Sequence, residues 1–192
     1  IDLENAPNSQ TFTVSSGGSG SNISDLKFYN AEIKVTNAQN LNFDNVTSLA
    51  ADWSHYIIIF SGSSNIRINN SLFHVSNSGG KSYMQVTGSS YISFDNTVIR
   101  CEGYMGNLIG LTNHMNFTNC EIYGPQSYSA ICKLFNSVSP QYNLFENCTI
   151  VYGGGSVALG SNSIAKNNTI SGGLGLTIKS KIGRAVQQES RD

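Results

Sequence analysis

The sequence predicts an all-β chain that winds into a parallel solenoid of about seven coils. The main observation is a six-residue phrase with a bulky apolar residue at each end and Asn in third place, seen at residues 94–99, 117–122 and 145–150. Around the phrase, apolar and polar residues alternate as they do in a strand, and runs that favour a helix are absent. The phrase returns mostly after 20 to 28 residues, which is typical of a stacked repeat.

Seven copies of the phrase can be aligned, and each contributes one Asn. Successive Asn residues are 15, 25, 26, 23, 28 and 20 residues apart. Asn tolerates the left-handed backbone that a bend after a strand requires, and its amide can donate and accept along the stacking direction. We therefore predict a structural ladder of side chains that pairs the backbone groups of the corners, with the flanking Phe and Ile residues inside the coil. The ladder residues are Asn30, Asn45, Asn70, Asn96, Asn119, Asn147 and Asn167.

The chain divides into three parts. Residues 1–21 end in Gly and Ser, and we predict a polar lead-in or an incomplete first coil with one strand at residues 11–14. Residues 22–178 hold the repeats, in which an apolar strand such as residues 56–60 precedes a polar corner, the strand with the phrase and a variable loop. Residues 179–192 lack the phrase, and we predict a tail or a cap.

Charge and hydropathy exclude two classes of partner. The 192 residues carry a formal net charge of -1, so the chain as a whole lacks the basic footprint of a nucleic-acid-binding protein. The apolar run at residues 56–60 has the length of a strand, whereas a membrane span needs about 20 apolar residues. We therefore predict no nucleic-acid partner and no membrane span.

The four cysteines do not form a metal-binding pattern. None is spaced as Cys-x-x-Cys, and no His stands at zinc-ligand spacing from them, so we predict no metal and no cofactor. Cys120 and Cys148 occupy the same place in adjacent copies of the phrase and should lie about 5 Å apart in a stack. Buried free thiols are the favoured interpretation, and a disulfide is the alternative.

The acidic residues of the repeats give little support to catalysis. Asp44 and Asp95 each precede a ladder Asn, and Asn69, Thr118 and Glu146 take the same place in other copies. A carboxylate pair for glycoside hydrolysis needs two carboxyl groups roughly 5–10 Å apart, whereas Asp44 and Asp95 are two coils apart in this alignment. We therefore predict no catalytic residue.

A small set of side chains could bind a ligand. Arg67 lies on the outward side of its strand, where it could clamp a ligand or simply carry a solvated charge. Tyrosines in or near the variable loops could offer flat platforms to sugar rings, with half-buried packing as the alternative. These tyrosines are Tyr104, Tyr123, Tyr128 and Tyr152. We expect the histidines at the surface or in turns: His55, His74 and His114.

The repeated phrase, with Asn-Ile-Arg-Ile-Asn-Asn ending at residue 70 and Tyr-Ile-Ser-Phe-Asp-Asn ending at residue 96, resembles the right-handed parallel β-helix superfamily typified by pectate lyases. The resemblance covers about residues 22–178 and implies a right-handed, single-stranded parallel β-helix. It looks especially like the Asn-rich adhesin-like surface proteins of microbes, including those of gut methanogenic archaea. Lyases, tailspikes, adhesins and carbohydrate epimerases share such repeats, so the resemblance is specific for fold rather than for function.

Two functions follow as hypotheses. The first is a non-catalytic, extracellular or cell-surface adhesin-like protein that presents a long surface to glycans or partner proteins. The alternative is a carbohydrate-active enzyme, either a polysaccharide lyase or a glycoside hydrolase. The first is favoured because the repeats show no concentrated acidic or basic cluster. The open ends of a solenoid also predict self-association or contact with further solenoid domains.

Overall fold

The computed structural model describes residues 10–50, 57–75, 84–101, 109–110, 113–124, 135–136, 141–151, 157–158, 162–171 and 176–177. Apart from one turn of 3-10 helix at Ser16–Gly18, the regular elements in these residues are β-strands. Alternating apolar and polar side chains favour these strands, because in strands such as Ala31–Thr36 and Ser64–Asn69 one face is buried inside the coil and the other faces outward.

The strands pair into three long parallel sheets, and the chain visits the sheets in the order A, B, C in each coil. Sheet A contains β1 (Gln10–Val14), β4 (Ala31–Thr36), β7 (Ile58–Ser61), β10 (Met84–Thr87), β13 (Ile109–Gly110) and β16 (Phe135–Asn136). Sheet B contains β2 (Asn22–Ser24), β5 (Gln39–Asp44), β8 (Ser64–Asn69), β11 (Ser90–Asp95), β14 (Met115–Thr118), β17 (Leu144–Glu146) and β20 (Ile164–Lys166). Sheet C contains β3 (Lys27–Tyr29), β6 (Thr47–Ala50), β9 (Leu72–Val75), β12 (Val98–Cys101), β15 (Glu121–Tyr123), β18 (Thr149–Val151) and β21 (Thr169–Ser171). A separate pair joins β19 (Val157–Ala158) to β22 (Leu176–Thr177).

The predicted fold class is confirmed as an all-β parallel solenoid. The prediction of about seven coils differs in detail. Four turns, from β1 to β12, contribute strands of three or more residues to all three sheets, whereas the described sheet A strands after Cys101 have two residues. Residues 10–14, which the sequence placed in the lead-in or an incomplete coil, form the first strand of sheet A. Residues 179–192 lie outside the described part of the chain.

The core is built from columns of identical positions in successive coils. The register pairs Phe94 with Phe117 and Phe117 with Phe145, and all three side chains are fully buried. Their rings stack nearly parallel, with centroids 4.9 Å apart in both pairs. The last residue of the phrase forms a second buried column in sheet C through Ile99, Ile122 and Ile150. The predicted apolar stacks are therefore present, and they extend the core along the axis.

The corner between sheets B and C holds six of the seven ladder residues. Their φ angles lie between 47° and 54°, in the left-handed region. These residues are Asn45, Asn70, Asn96, Asn119, Asn147 and Asn167. The first five of these amides each bond a side chain of the preceding coil. Asn45 Nδ2 donates to Asp25 Oδ1 at 2.7 Å, Asn70 Nδ2 to Asp44 Oδ1 at 2.8 Å, and Asn96 Nδ2 to Asn70 Oδ1 at 2.8 Å. Asn119 Nδ2 donates to Asp95 Oδ1 at 3.0 Å, and Asn147 Nδ2 to Asn119 Oδ1 at 3.3 Å. The ladder of Asn side-chain hydrogen bonds is thus present.

Asn30 does not belong to this column. The register pairs Ser24 with Asp44, so Asp25 stands opposite Asn45 at the corner between sheets B and C. Asn30 follows β3 instead and lies at the end of a sheet C strand, where its N–H donates to Leu49 O at 2.8 Å. Its φ of 49° is also left-handed, so Asn has the same backbone role at a different corner. The separation of 15 residues from Asn45, shorter than the others, reflects this shift.

At this corner the five amides bond side chains of the neighbouring coil, and not the backbone groups that we predicted for them. The task of pairing those backbone groups belongs to the residue after each Asn, which is buried at positions 46, 71, 97, 120 and 148 and half-buried at Asn168. Val46 N donates to Ser71 Oγ at 3.1 Å, and Cys148 N donates to Asn168 Oδ1 at 2.8 Å. Ser71 Oγ in turn donates to Asn69 O at 2.6 Å. The inner column thus satisfies buried backbone groups, while the outer Asn column links exposed side chains.

Cys120 and Cys148 belong to the inner column and are buried free thiols. Cys120 Sγ donates to Thr118 O at 3.2 Å, and Cys148 Sγ donates to Glu146 O at 3.3 Å, the same contact that Ser71 makes in its own coil. The hydrogen bond with Cys148 and burial both raise the pKa of the Cys120 thiol, so it stays protonated at neutral pH. Cys120 therefore acts as a small, weakly polar core residue.

We expect Phe117→Ala to lower the free energy of unfolding by about 3–5 kcal/mol, because it removes the middle ring of a buried stack and leaves a cavity. Denaturant unfolding followed by circular dichroism measures the change. Asn116→Ala, next to it on the exposed side of β14, is the matched control and should stay within about 0.5 kcal/mol of the native chain. Equal effects of the two substitutions would contradict the inward column.

Two substitutions at Asn119 should separate its backbone role from its ladder role. Asn119→Gly keeps a residue suited to positive φ and removes only the amide contacts with Asp95 and Asn147, so we expect a loss of about 0.5–1.5 kcal/mol. Asn119→Ala adds the cost of a left-handed backbone, about 1–2 kcal/mol more. Thermal and denaturant unfolding should rank native above Gly and Gly above Ala. An Ala variant as stable as the Gly variant would show that the backbone conformation contributes nothing.

Candidate binding surface

The outward side of sheet B is a mostly polar face made by strands of consecutive coils. Two outward positions in each strand form columns along the axis. One column contains Asn42, Arg67, Ser93, Asn116, Leu144 and Ile164. The other contains Ser24, Asp44, Asn69, Asp95, Thr118, Glu146 and Lys166. Amides and hydroxyls make up half of the first column, and amides, hydroxyls and carboxylates make up six of the seven residues listed for the second. We name this surface the sheet B face.

The carboxylates of the sheet B face are engaged by neighbours. Asp44 and Asp95 each accept a hydrogen bond from a ladder amide, and Asn69 stands between them in the register. Two strand spacings separate them, which is about 9.6 Å along the sheet. Glu146 forms an ion pair with Lys166 at 2.8 Å in the next strand. These groups therefore hold adjacent coils together rather than converging on one point.

The structure describes two of the predicted ligand-binding residues, Arg67 and Tyr123, and it places them on different sheets. Arg67 is exposed on the sheet B face between Asn42 and Ser93. Tyr123 lies on sheet C, where the Arg100 guanidinium carbon is 4.7 Å from its ring centroid. Its hydroxyl donates to Glu121 Oε2 at 2.9 Å, so both its face and its tip have partners. The other predicted tyrosines, Tyr104, Tyr128 and Tyr152, lie outside the described residues.

An exposed stack of three aromatic rings borders the sheet B face. The rings of Tyr91 and His114 are 4.5 Å apart and tilted by 6°, and those of His114 and Tyr142 are 5.2 Å apart and tilted by 10°. Tyr91 is 58% and Tyr142 52% exposed, so these rings are not part of the core. We call Tyr91, His114 and Tyr142 the aromatic column.

The aromatic column occupies positions that other coils fill with Gly or Asn. Backbone pairing aligns it with a second left-handed column near the start of the sheet B strands. The members of this column are Gly20, Asn40, Asn65, Tyr91, His114, Tyr142 and Asn162, with φ from 54° to 81°. Where Asn is present, the amides bond as they do at the other corner, since Asn65 Nδ2 donates to Asn40 Oδ1.

Stability alone does not favour tyrosine over Asn at these positions. A left-handed backbone costs a bulky residue about 1–2 kcal/mol, while Asn and His tolerate it better. A stacked aromatic pair contributes about 0.5–1.5 kcal/mol beyond its burial. The stacking energy of the two ring pairs is therefore similar to the backbone cost of the two tyrosines. The rings also replace amide hydrogen bonds of the kind that joins Asn65 to Asn40. Exposed residues held in an unfavourable backbone region often mark a functional site.

Reading the sequence for candidate residues missed Tyr91 and Tyr142 and left His114 as a surface or turn residue. A signal was present, because each member of the second column lies five residues before its partner at the corner between sheets B and C, as with Tyr91 and Asn96 or Tyr142 and Asn147. The residue type changes along the column while the spacing does not. A search for a repeated residue type cannot find such a column.

The described residues were compared with two further kinds of site, a metal centre and a membrane-spanning helix, and they contain neither. The described part of the chain contains no group of three or more His, Cys, Asp or Glu side chains placed to hold a metal ion. Within these residues there is also no helix with the length and hydropathy needed to cross a membrane.

No family model, curated protein or solved structure matches this chain. The structure is a parallel β-solenoid with hydrogen-bonded Asn side chains at its corners. The resemblance to pectate-lyase-like and adhesin-like β-helices is therefore based on the repeated phrase.

The contacts of Tyr123 predict opposite effects of two substitutions on its titration. The hydrogen bond to the Glu121 carboxylate is the largest cause that raises the pKa of Tyr123, and the Arg100 charge opposes it. Glu121→Gln should therefore lower the pKa of Tyr123, whereas Arg100→Ala should raise it further. NMR titration of labelled tyrosine measures both shifts, and a shift of the same sign in the two variants would contradict the observed contacts.

Proposed function

We propose that this chain is a non-catalytic, adhesin-like protein of the cell surface or extracellular space, and that its sheet B face binds glycans. One observation carries the proposal: strands from successive coils align amides and hydroxyls on one extended face, with exposed rings at its border. Such side chains offer donors and acceptors at fixed positions, which suits a ligand rich in hydroxyl groups.

A protein partner is a weaker candidate for the same face. Protein interfaces centre on buried apolar or aromatic anchors surrounded by a polar rim. The columns of the sheet B face carry two aliphatic side chains, Leu144 and Ile164, both in its last two strands. Arg67 and the amides around it make the centre of the face polar. The face therefore suits a polar ligand better than an apolar anchor.

Hydrolysis is the alternative function, and the positions of the carboxylates on the sheet B face give it little support. Inverting glycosidases place two carboxyl groups about 6.5–9.5 Å apart with a water between them. Asp44 and Asp95 approach the upper end of that range, but Asn69 occupies the intervening place in the register. Both carboxylates also accept a ladder amide. We therefore assign these acids to the structure of the ladder.

One set of measurements tests both statements. Affinity electrophoresis in gels that contain soluble polysaccharides should show retardation of the native chain. Asn116→Arg, which places a long charged side chain in the middle of the sheet B face, should weaken binding at least tenfold. Thr149→Arg, on the outward side of sheet C, is the matched control and should bind as the native chain does.

The same polysaccharides, together with pectin, alginate and glycosaminoglycans with and without calcium, should yield no unsaturated or reducing ends. Reproducible product formation that Asp95→Asn abolishes would overturn the non-catalytic proposal and place the reaction at the sheet B face. Absence of binding to every polysaccharide would overturn the glycan proposal itself.

A further inference from the structure

We propose that the aromatic column is the main contact for the glycan, and that the glycan is a neutral polysaccharide chain running along the solenoid axis. This inference rests on the proposed function and narrows it to three residues and one ligand class. The column lies at the border of the sheet B face, two residues before Ser93, Asn116 and Leu144 in the sequence. Tyr91 lies within β11, whereas His114 and Tyr142 precede β14 and β17.

The column presents the same kind of group once per coil. Ring centroids follow one another at 4.5 and 5.2 Å, so two phenol hydroxyls and an imidazole are displayed in a row at the spacing of the strands. Because the inner ring faces are stacked on each other, the accessible parts are the ring edges, the polar tips and the outer faces. A polymer with repeated hydroxyl groups can meet such a row with successive units.

The backbone beneath the column is held from two sides. Outside, Gln141 N donates to Asn113 Oδ1 at 3.0 Å. Inside, Met115 N donates to the buried Asn143 Oδ1 at 2.8 Å, and Asn143 N donates to Ser163 Oγ at 3.2 Å. These hydrogen bonds fix the backbone that carries the rings, so little backbone conformational entropy should be lost when a ligand binds them.

Charge on the sheet B face favours a neutral polymer over an acidic one. In the three coils that carry the rings, its charged side chains are Asp95 and Glu146, and both are acidic. Glu146 is paired with Lys166. A chain of uronate or sulfate groups would meet the negative charge of Asp95 beside the rings, with the cation Arg67 in the neighbouring strand β8, whereas hydroxyl groups can donate to the Asp95 carboxylate.

The test replaces the three rings by the residue that other coils use. A variant with Tyr91→Asn, His114→Asn and Tyr142→Asn should have an unchanged or raised melting temperature, since Asn suits the left-handed backbone and can continue the amide ladder. The same variant should bind hydroxyethylcellulose and galactomannan at least tenfold more weakly in affinity electrophoresis. The native chain should bind these neutral polymers at least tenfold more tightly than polygalacturonate.

Other results would overturn the inference. Native-like binding by the triple variant, with binding still lost in Asn116→Arg, would leave the glycan-binding face intact and exclude the aromatic column. A lower melting temperature with native-like binding would assign the rings a purely structural role. A native chain that binds no polysaccharide would overturn this inference together with the proposed function, and tighter binding to polygalacturonate would overturn the ligand class.

A second variant covers the case in which the triple variant does not fold. Tyr91→Phe with Tyr142→Phe keeps the stacked rings and removes only the two hydroxyl groups. Affinity for the neutral polymers should fall at least threefold without loss of circular dichroism signal. Unchanged affinity in this variant would contradict the role of the polar ring tips.

Discussion

The rest of the structure depends on one constraint: each described corner between sheets B and C passes a residue through the left-handed backbone region. Parallel, in-register pairing gives each strand's N–H and C=O groups to the coils on either side. A corner with a different backbone conformation would shift its strand and break pairing with both neighbours. Asp25 and Asn45 therefore share positive φ although one carries a carboxylate and the other an amide. The solenoid requires the conformation and only favours the residue type.

This distinction explains which features could be predicted from the sequence. The column of Phe94, Phe117 and Phe145 was predictable because burial inside a coil demands a large apolar side chain each time. Asn30 was misplaced because Asn also serves the corner after sheet C, and residue type alone does not distinguish the corners. Tyr91 and Tyr142 were missed because their column repeats a conformation without repeating a residue. Spacing within a coil, rather than residue identity, carries the information for such positions.

Sheets B and C differ in how their outward side chains are used. On sheet C, Arg100, Tyr123 and Glu121 satisfy one another, since the guanidinium lies over the ring and the hydroxyl donates to the carboxylate. A ligand at this site would have to displace contacts that already exist, so the gain from binding would be small. On the sheet B face, exposed Arg67 and the rings at its border present polar groups toward solvent. The predicted ligand-binding role of Tyr123 is therefore less favoured than that of the sheet B face.

The two left-handed columns differ in how their side chains take part in holding successive coils together. At the corner between sheets B and C, Asn amides join successive coils, so replacing one residue removes contacts on two sides, as for Asn119. In the second column, hydrogen bonds from the main chain and from Asn113 and Asn143 hold the backbone independently of the outward ring. The outward side chain there is free to change at a modest energetic cost. A position with a fixed backbone and a variable, exposed side chain is where a rigid solenoid can vary its ligand contacts, and the three aromatic residues occupy that position in consecutive coils.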